Sequence, residues 1–329
     1  MNLSQDVHIE PCLCEGFSPQ GAAYVFERLK PYGRRLMGLP GLRYLRPAAR
    51  RVAAVAESPG KFAMRDLAEN RSAAEGGSLT VLSANLCHDW PRRRWSGERL
   101  ESFARLVQAQ AADILLVQEV SRTAHLRVDE WLSERLEMSY VYTRANGHET
   151  GIGFEEGLAV FSRFPLKQPR VRQLGDRANP FVRRMALGAQ VETPCGEMMA
   201  FSVHLGLSPR QNALQLTDLR EWIARSSFGL PALIGGDFNA HENSPQIRHA
   251  RSRWVDAYRE VRPHGEATTH ELRWPWGSSL RRARLDYIFI DPGMQPWQVL
   301  DAVHLQAEER PHSDHRAVLA RLAPVLPPN

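Results

Sequence analysis

The stretch Leu233-Ile-Gly-Gly-Asp-Phe-Asn-Ala240 constrains the fold of this chain more than any other. The short apolar run from Pro231 to Ile234 reads as a buried strand bounded by turn residues. Gly235 and Gly236 let the backbone after it bend tightly or lie close to a bound ligand. Asp237 and Asn239 follow at a spacing that, in extended chain, puts both side chains on one face. Two hard oxygen donors at the end of a buried strand suit Mg2+ or a phosphate group. The plainer reading is an Asx turn that caps a helix starting near Asn243.

At 329 residues the chain can hold two domains or one large α/β domain, and 43% apolar content is enough for a sizeable core. No apolar run reaches the ~18 residues of a membrane span, so none is expected. Asp6 and Glu10 stand where a secretory signal would be basic and then apolar. Of Cys12, Cys14, Cys87 and Cys195 only the first two are close, a poor zinc signature and a poor disulfide framework. A reducing cytoplasm and a monomer are expected. The net charge of +5 mildly favours anionic partners.

Residues 1–78 differ in texture from the rest. Pro and Gly interrupt them, with arginine pairs at Arg34-Arg35 and Arg50-Arg51. Leu42 to Val55 has the pattern of a basic amphipathic helix, which can lie on a membrane surface or on nucleic acid. An extension packed on the main domain is the plainer reading. Ala73 to Ser78 is small and polar and reads as a linker, so the second domain is placed at 79–329.

From Leu79 onward strands and helices mix. Strands are expected at 79–85, 113–117, 157–161, 185–191, 198–204, 285–290 and 314–319, and helices at 99–111, 129–138 and 209–224. Asn85, Glu119, His204, Asp237 with Asn239, Asp286, and Asp314 with His315 each fall at the edge of an expected strand. Each has a dull explanation alone, as a turn former, an ion pair or a core histidine. Strand ends in layered α/β folds converge on one rim, where sites assemble from distant residues.

Taken in order, Asn85, Gln118-Glu119, Gly157-Leu-Ala-Val-Phe-Ser-Arg-Phe-Pro165, His204, Gly236-Asp-Phe-Asn239, Leu285-Asp-Tyr287 and Ser313-Asp-His315 resemble the endonuclease/exonuclease/phosphatase superfamily. That superfamily groups DNase I-like nucleases, inositol polyphosphate 5-phosphatases, neutral sphingomyelinases and abasic-site endonucleases. The resemblance covers roughly residues 79–323. It implies a four-layer α/β/β/α sandwich, two mixed sheets face to face with helices outside and the site at one edge. It also implies Glu119 as principal metal ligand, with Asn85 and Asp314 beside it. Asp237 and Asn239 would then hold the attacking water, the phosphate or a second metal. Mg2+ is the expected ion, with Mn2+ able to replace it.

Phosphate esters resist water because their oxygens repel a nucleophile, so catalysis needs charge neutralisation and an activated water. His315 is the expected acid/base group, since imidazole titrates near neutral pH. Asp286 would accept its other ring N–H and fix the tautomer. The residues leave open whether His315 or Asp237 takes the water's proton. His204 would donate to a phosphoryl oxygen, and it weighs against the abasic-site branch, which carries tyrosine there. Ala240-His-Glu-Asn243 lacks the extended inositol phosphatase signature. Gln215 matches the helix after His204, but Asn212 stands where that helix often has arginine.

Trp90-Pro-Arg-Arg-Arg-Trp95, Arg273-Trp-Pro-Trp276 and Arg281-Arg-Ala-Arg284 flank the expected site in sequence. Arginine among exposed aromatics can hold a nucleic-acid backbone and stack bases, or sit at a lipid interface. The expected substrate is a DNA or RNA phosphodiester, cut as an endonuclease or exonuclease. A sphingomyelinase-like phospholipid phosphodiesterase and a small-molecule phosphatase are the alternatives. A non-catalytic phosphate-binding relative would require loss of a central residue, and none is missing. A scaffolding role for residues 1–78 is the third class of reading.

Overall fold

The apolar runs become strands because alternate side chains face opposite layers, and both layers are buried. A computed structural model describes residues 51, 53–56, 62–67, 77–88, 96–175, 182–273 and 279–325. The strands are β1 (Phe62–Arg65), β2 (Leu79–Asn85), β3 (Ile114–Thr123), β4 (Leu126–Arg127), β5 (Ser139–His148), β6 (Phe154–Ser162), β7 (Leu166–Gln173) and β8 (Met185–Thr193). They continue with β9 (Gly196–His204), β10 (Ala232–Asp237), β11 (Val255–Asp256), β12 (His270–Arg273), β13 (Ser279–Ala283), β14 (Asp286–Asp291), β15 (Trp297–Leu305) and β16 (Ala317–Pro324). The helices used below are α1 (Ser96–Ala109), α2 (Val128–Leu136), α3 (Glu149–Ile152), α4 (Pro209–Ser226), α5 (Pro245–Arg251) and α6 (Ala257–Val261).

One sheet has eight strands in the order β1-β5-β6-β3-β2-β16-β15, with β4 paired to β3. The other has six, β11-β14-β10-β9-β8-β7, and β12-β13 form a separate hairpin. Each large sheet is mixed, with one parallel pair, β2 with β3 and β9 with β10. Val81, Leu116, Val160, Leu187, Leu233 and Ile288 fill the core between the sheets. Their neighbours one residue on, such as Leu82, Val117 and Phe161, pack outward against Phe103 of α1 and Leu132 of α2. On the far side Val203, Ile234 and Phe289 meet Leu216 and Leu219 of α4. These are the four layers of the expected sandwich.

The glycines of β10 act through packing rather than bending, because the strand runs straight through them to Asp237. A Cβ on Gly235 would lie 2.6 Å from Leu116 Cδ1 of the facing sheet, and one on Gly236 would lie 1.9 Å from Val203 O. Close approach of neighbouring backbone and sheet therefore excludes any side chain there.

Several boundaries differ from expectation. Asp314 and His315 lie in the loop before β16 rather than in a strand, since that strand begins at Ala317. The helix expected near Asn243 starts at Pro245, capped by Ser244. Residues 62–65, from the stretch read as an extension, add the edge strand β1 to the larger sheet beside β5. Arg183 donates to the carbonyls of Val55 and Ala56. Most of the basic helix over 42–55, the segment Trp90 to Trp95, Trp274 to Trp276, Cys12 and Cys14 lie outside the described residues. Cys87 and Cys195 are free thiols. Among the described residues no helix is long and apolar enough to cross a membrane.

Candidate active site

Strand register brings the polar residues together. In β10, Asp237 is paired with His204 of the parallel neighbour β9 and with Asp286 of the antiparallel neighbour β14. Three residues far apart in sequence thus sit side by side at one sheet end. From the facing sheet, Asn85 ends β2 opposite Gln118 of β3. A bulge between Gln118 and Val120 follows, with Glu119 at φ 56°. Such a bulge re-aims a side chain at a left-handed backbone cost of order 1 kcal/mol. Gln118 turns inward and donates to Ser202 Oγ at 3.0 Å, tying the sheets together. Glu119 turns to the cleft.

Asn85 joins the two sheets at the site. Its Nδ2 donates to Glu119 Oε1 at 3.1 Å and to Asp237 Oδ2 at 3.2 Å. The backbone N–H of Asn239 donates to Asp237 Oδ1 at 2.8 Å, an Asx turn that caps no helix, since Ser244 caps the next one, and Asn239 Nδ2 donates to Leu205 O. Asn239 adopts φ 49°. The turn and the shared oxygen cluster are therefore one structure, not rival readings.

Asp237 is buried, and burial first, then the charge of Asp286, pushes its carboxyl up to about 7. His315 Nδ1 lies 2.8 Å from Asp286 Oδ2. Burial alone would lower that imidazole, but Asp286, Asp237 and Asp314 outweigh it and raise it to about 10. Asp286 Oδ1 is buried without a partner. His204 Nε2 lies 3.6 Å from Asp237 Oδ2 and 2.9 Å from Arg184 Nη1. Burial and then the Arg184 charge hold its pKa well below the ordinary value. Asp314 lies at the solvent edge of this network, where its charge helps raise His315. Its carboxylate is 53% exposed, 3.9 Å from His270 Nε2, and accepts from Ser313 Oγ at 3.2 Å.

The cleft has a volume of about 830 Å³, and Asn85, Glu119, His204, Asp237 and His315 line it together with Arg184. Arg184 and Glu156 were missed in the sequence. Glu156 is buried, lines the cleft, and is pushed up to about 7 by burial and then by Glu119. Its signal was there: a carboxylate inside the run Phe154–Ser162, which is otherwise apolar from Gly157 on. Asn212, which stands where the helix after His204 often has arginine, clamps Gly206 O and Phe238 O through Nδ2, and Gln215 Oε1 accepts from Gly206 N, so both hold loops. Arg284 is 1% exposed and forms a two-pronged pair with Asp256, while Arg281 lines the cleft.

The donors fit a divalent cation. Ligand atoms of Asp237, Asp286 and His315 lie within 4.8 Å of one another. Two buried carboxylates face one imidazolium, with Glu119 linked through Asn85. Burial first, and then the charge of Asp286, raises Asp237, and a cation beside the two carboxylates would favour its ionised form.

The family model described as Endonuclease/Exonuclease/phosphatase family matches residues 82–315. YbhP of Escherichia coli K12, an uncharacterized protein, is 31% identical over 178 residues, 49% of this chain and 67% of its own. A family protein from Leptotrichia buccalis superposes with TM-score 0.62 at 17% identity, covering 74% of this chain and 98% of that one. The human Nocturnin catalytic domain with bound sulfate gives 0.60 at 20% identity, covering 77% of this chain and 96% of that one. D. rerio TDP2 complexed with single strand DNA product gives 0.60 at 15% identity, covering 75% and 99%. These structures share the fold.

Proposed function

The chain belongs to the endonuclease/exonuclease/phosphatase family, and from that premise we propose that it is a divalent-metal-dependent hydrolase of phosphodiesters, acting on nucleic acid. Members of this family are generally phosphoester hydrolases that use divalent metals. The observation that carries the reading is the register that sets Asp237 beside both His204 and Asp286, bridged by Asn85 to Glu119.

Asn85, whose Nδ2 donates to Glu119 and Asp237 while its Oδ1 accepts from Cys87 N, positions both carboxylates. Glu119 would hold the ion, Mg2+ by its oxygen chemistry, with Asn239 and Asp314 at its margins. Bound there, it would neutralise phosphoryl oxygens. Asp286 fixes His315 with a proton on Nδ1 and leaves Nε2 facing the cleft. With His315 raised to about 10, the imidazolium serves as the donor to the phosphoryl or leaving oxygen. Asp237, raised by burial and then by the charge of Asp286, would accept the proton of the attacking water. Arg184 occupies His204 Nε2, so the cationic donor on that wall is Arg184, with His204 orienting it.

Arg184 and Arg281 at the cleft, and the single strand DNA product bound to TDP2, support a nucleic-acid substrate. A second reading rests on Leu207 and Leu272, 74% and 47% exposed at the cleft, which suit a phospholipid. Turnover of bis-p-nitrophenyl phosphate with Mg2+ or Mn2+ tests the chemistry. His315→Ala and Glu119→Ala are expected to lose on the order of 100-fold or more. Either variant matching the parent would remove the assignment. DNA, RNA and phospholipid vesicles, each with and without EDTA, separate the substrates.

A further inference from the structure

We propose that His270, Asp314 and His315 form a second metal site at the cleft rim, taking an imidazole-preferring ion such as Zn2+. One ligand atom from each lies within 4.8 Å of the others. The His270 and His315 rings are 4.5 Å apart, and His270 Nε2 is 3.9 Å from Asp314 Oδ2.

The backbone sets this spacing. An isolated antiparallel bridge pairs His270 with His315. Thr269, one residue before, accepts on Oγ1 from the N–H groups of Leu285 and Asp286, and its carbonyl accepts from Arg316 N at 2.7 Å. Both imidazoles are thus mounted on paired backbone, and Asp286 holds His315 by Nδ1. A carboxylate behind a ligating imidazole keeps the Nδ1 proton, and the metal takes Nε2 with release of the proton that nitrogen carries in the imidazolium.

Two imidazoles and one carboxylate suit Zn2+ rather than Mg2+, which takes oxygen ligands. Metal–ligand bonds of ~2.0 Å require ligand atoms roughly 3.3 Å apart. The half-exposed Asp314 side chain can swing to close that gap and leaves a face open to solvent. An ion held here takes His315 Nε2 out of the cleft chemistry. Zinc inhibition follows from the proposed hydrolysis, whereas zinc binding does not depend on it.

The test uses the full chain, stripped with EDTA and desalted. Zn2+ uptake is titrated against a chromogenic chelator for the parent, His270→Phe and Asp314→Asn. Zinc held by other histidines and cysteines is common to all three and cancels. The parent is expected to hold one more equivalent than His270→Phe, which keeps a ring and the backbone bridge. In parallel, the Zn2+ concentration that halves bis-p-nitrophenyl phosphate turnover at fixed Mg2+ should rise about 10-fold or more in His270→Phe. Equal uptake by parent and His270→Phe overturns the site even if both proteins are active. A difference in uptake with no turnover upholds the site and overturns the hydrolase reading instead.

Discussion

Arg183 and Arg184 are neighbours in extended chain, so their side chains leave in opposite directions. Arg183 goes to the carbonyls of Val55 and Ala56, and Arg184 goes to His204 and the cleft. A sequence reading sees only a basic pair before an apolar strand. The separation makes a clean experiment. Arg184→Ala removes one cationic donor from the cleft and is expected to cost roughly 100- to 1,000-fold in kcat/KM. Its Tm should stay near the parent's, since the guanidinium is half-buried and its partner His204 stays held in β9. Arg184→Lys should recover only part, because the planar fork is lost. Full activity in Arg184→Ala would leave His204 as the donor on that wall.

At the scale of elements, the loop into β14 is held by buried charge. Arg284 lies 4.4 Å from the centre of the Tyr287 ring and 5.1 Å from that of Tyr258, and its two terminal nitrogens reach both oxygens of Asp256. Tyr287 OH donates to Ala240 O beyond the Asp237–Asn239 turn. This joins β14, which carries Asp286, to the loop that carries Asn239. Asp256 keeps Arg251 at 2.6 Å when Arg284 is lost, whereas Arg284 without Asp256 is a buried charge with only Glu242 nearby, at 3.6 Å. Asp256→Leu should therefore lose about 3–5 kcal/mol in urea unfolding, and Arg284→Met with it should regain much of that. No recovery in the double variant would show that the stranded Arg284 charge does not carry the loss.

Across the whole molecule, acid sensitivity should have an identifiable source outside the cleft. His304 of β15 stacks on Tyr258 of α6 at 4.0 Å, and neither ring nitrogen has a partner. Burial first, then Arg284, Arg316 and Arg259, lower it to about 3 against the opposing pull of Asp256. The unfolded chain takes up this proton below about 6.5, while the folded chain does so only near 3. Stability from this group is full above about 6.5 and falls as pH drops toward 3, at up to about 1.4 kcal/mol per pH unit. His304→Phe should thus lose less stability than the parent between pH 7.5 and 5.0, by at most about 2 kcal/mol in urea unfolding. Parallel pH curves for the two proteins would place acid sensitivity elsewhere.

Sequence alone determined the strand that ends at Asp237, the edge positions of Asn85, His204 and Asp286, and, through the family these residues resemble, the layered fold, whereas Glu119, expected just past a strand end, sits at a bulge inside β3. Those features are local. An apolar run names a strand, and a polar residue at its edge is visible without knowing its neighbours. Strands β1, β7 and β15 were not legible, because half-buried and edge strands mix polar residues into the run, and β5, though mostly buried, carries Thr143, Arg144, Asn146 and His148. Tertiary structure alone decided which arginine is a strut and which faces the cleft, for Arg284 and Arg281 lie on one hairpin's exit with the same local chemistry. It also decided the protonation of the site. The pKa of Asp237 and His315 depends on Asp286 being a register partner, and register is a property of paired strands rather than of either strand.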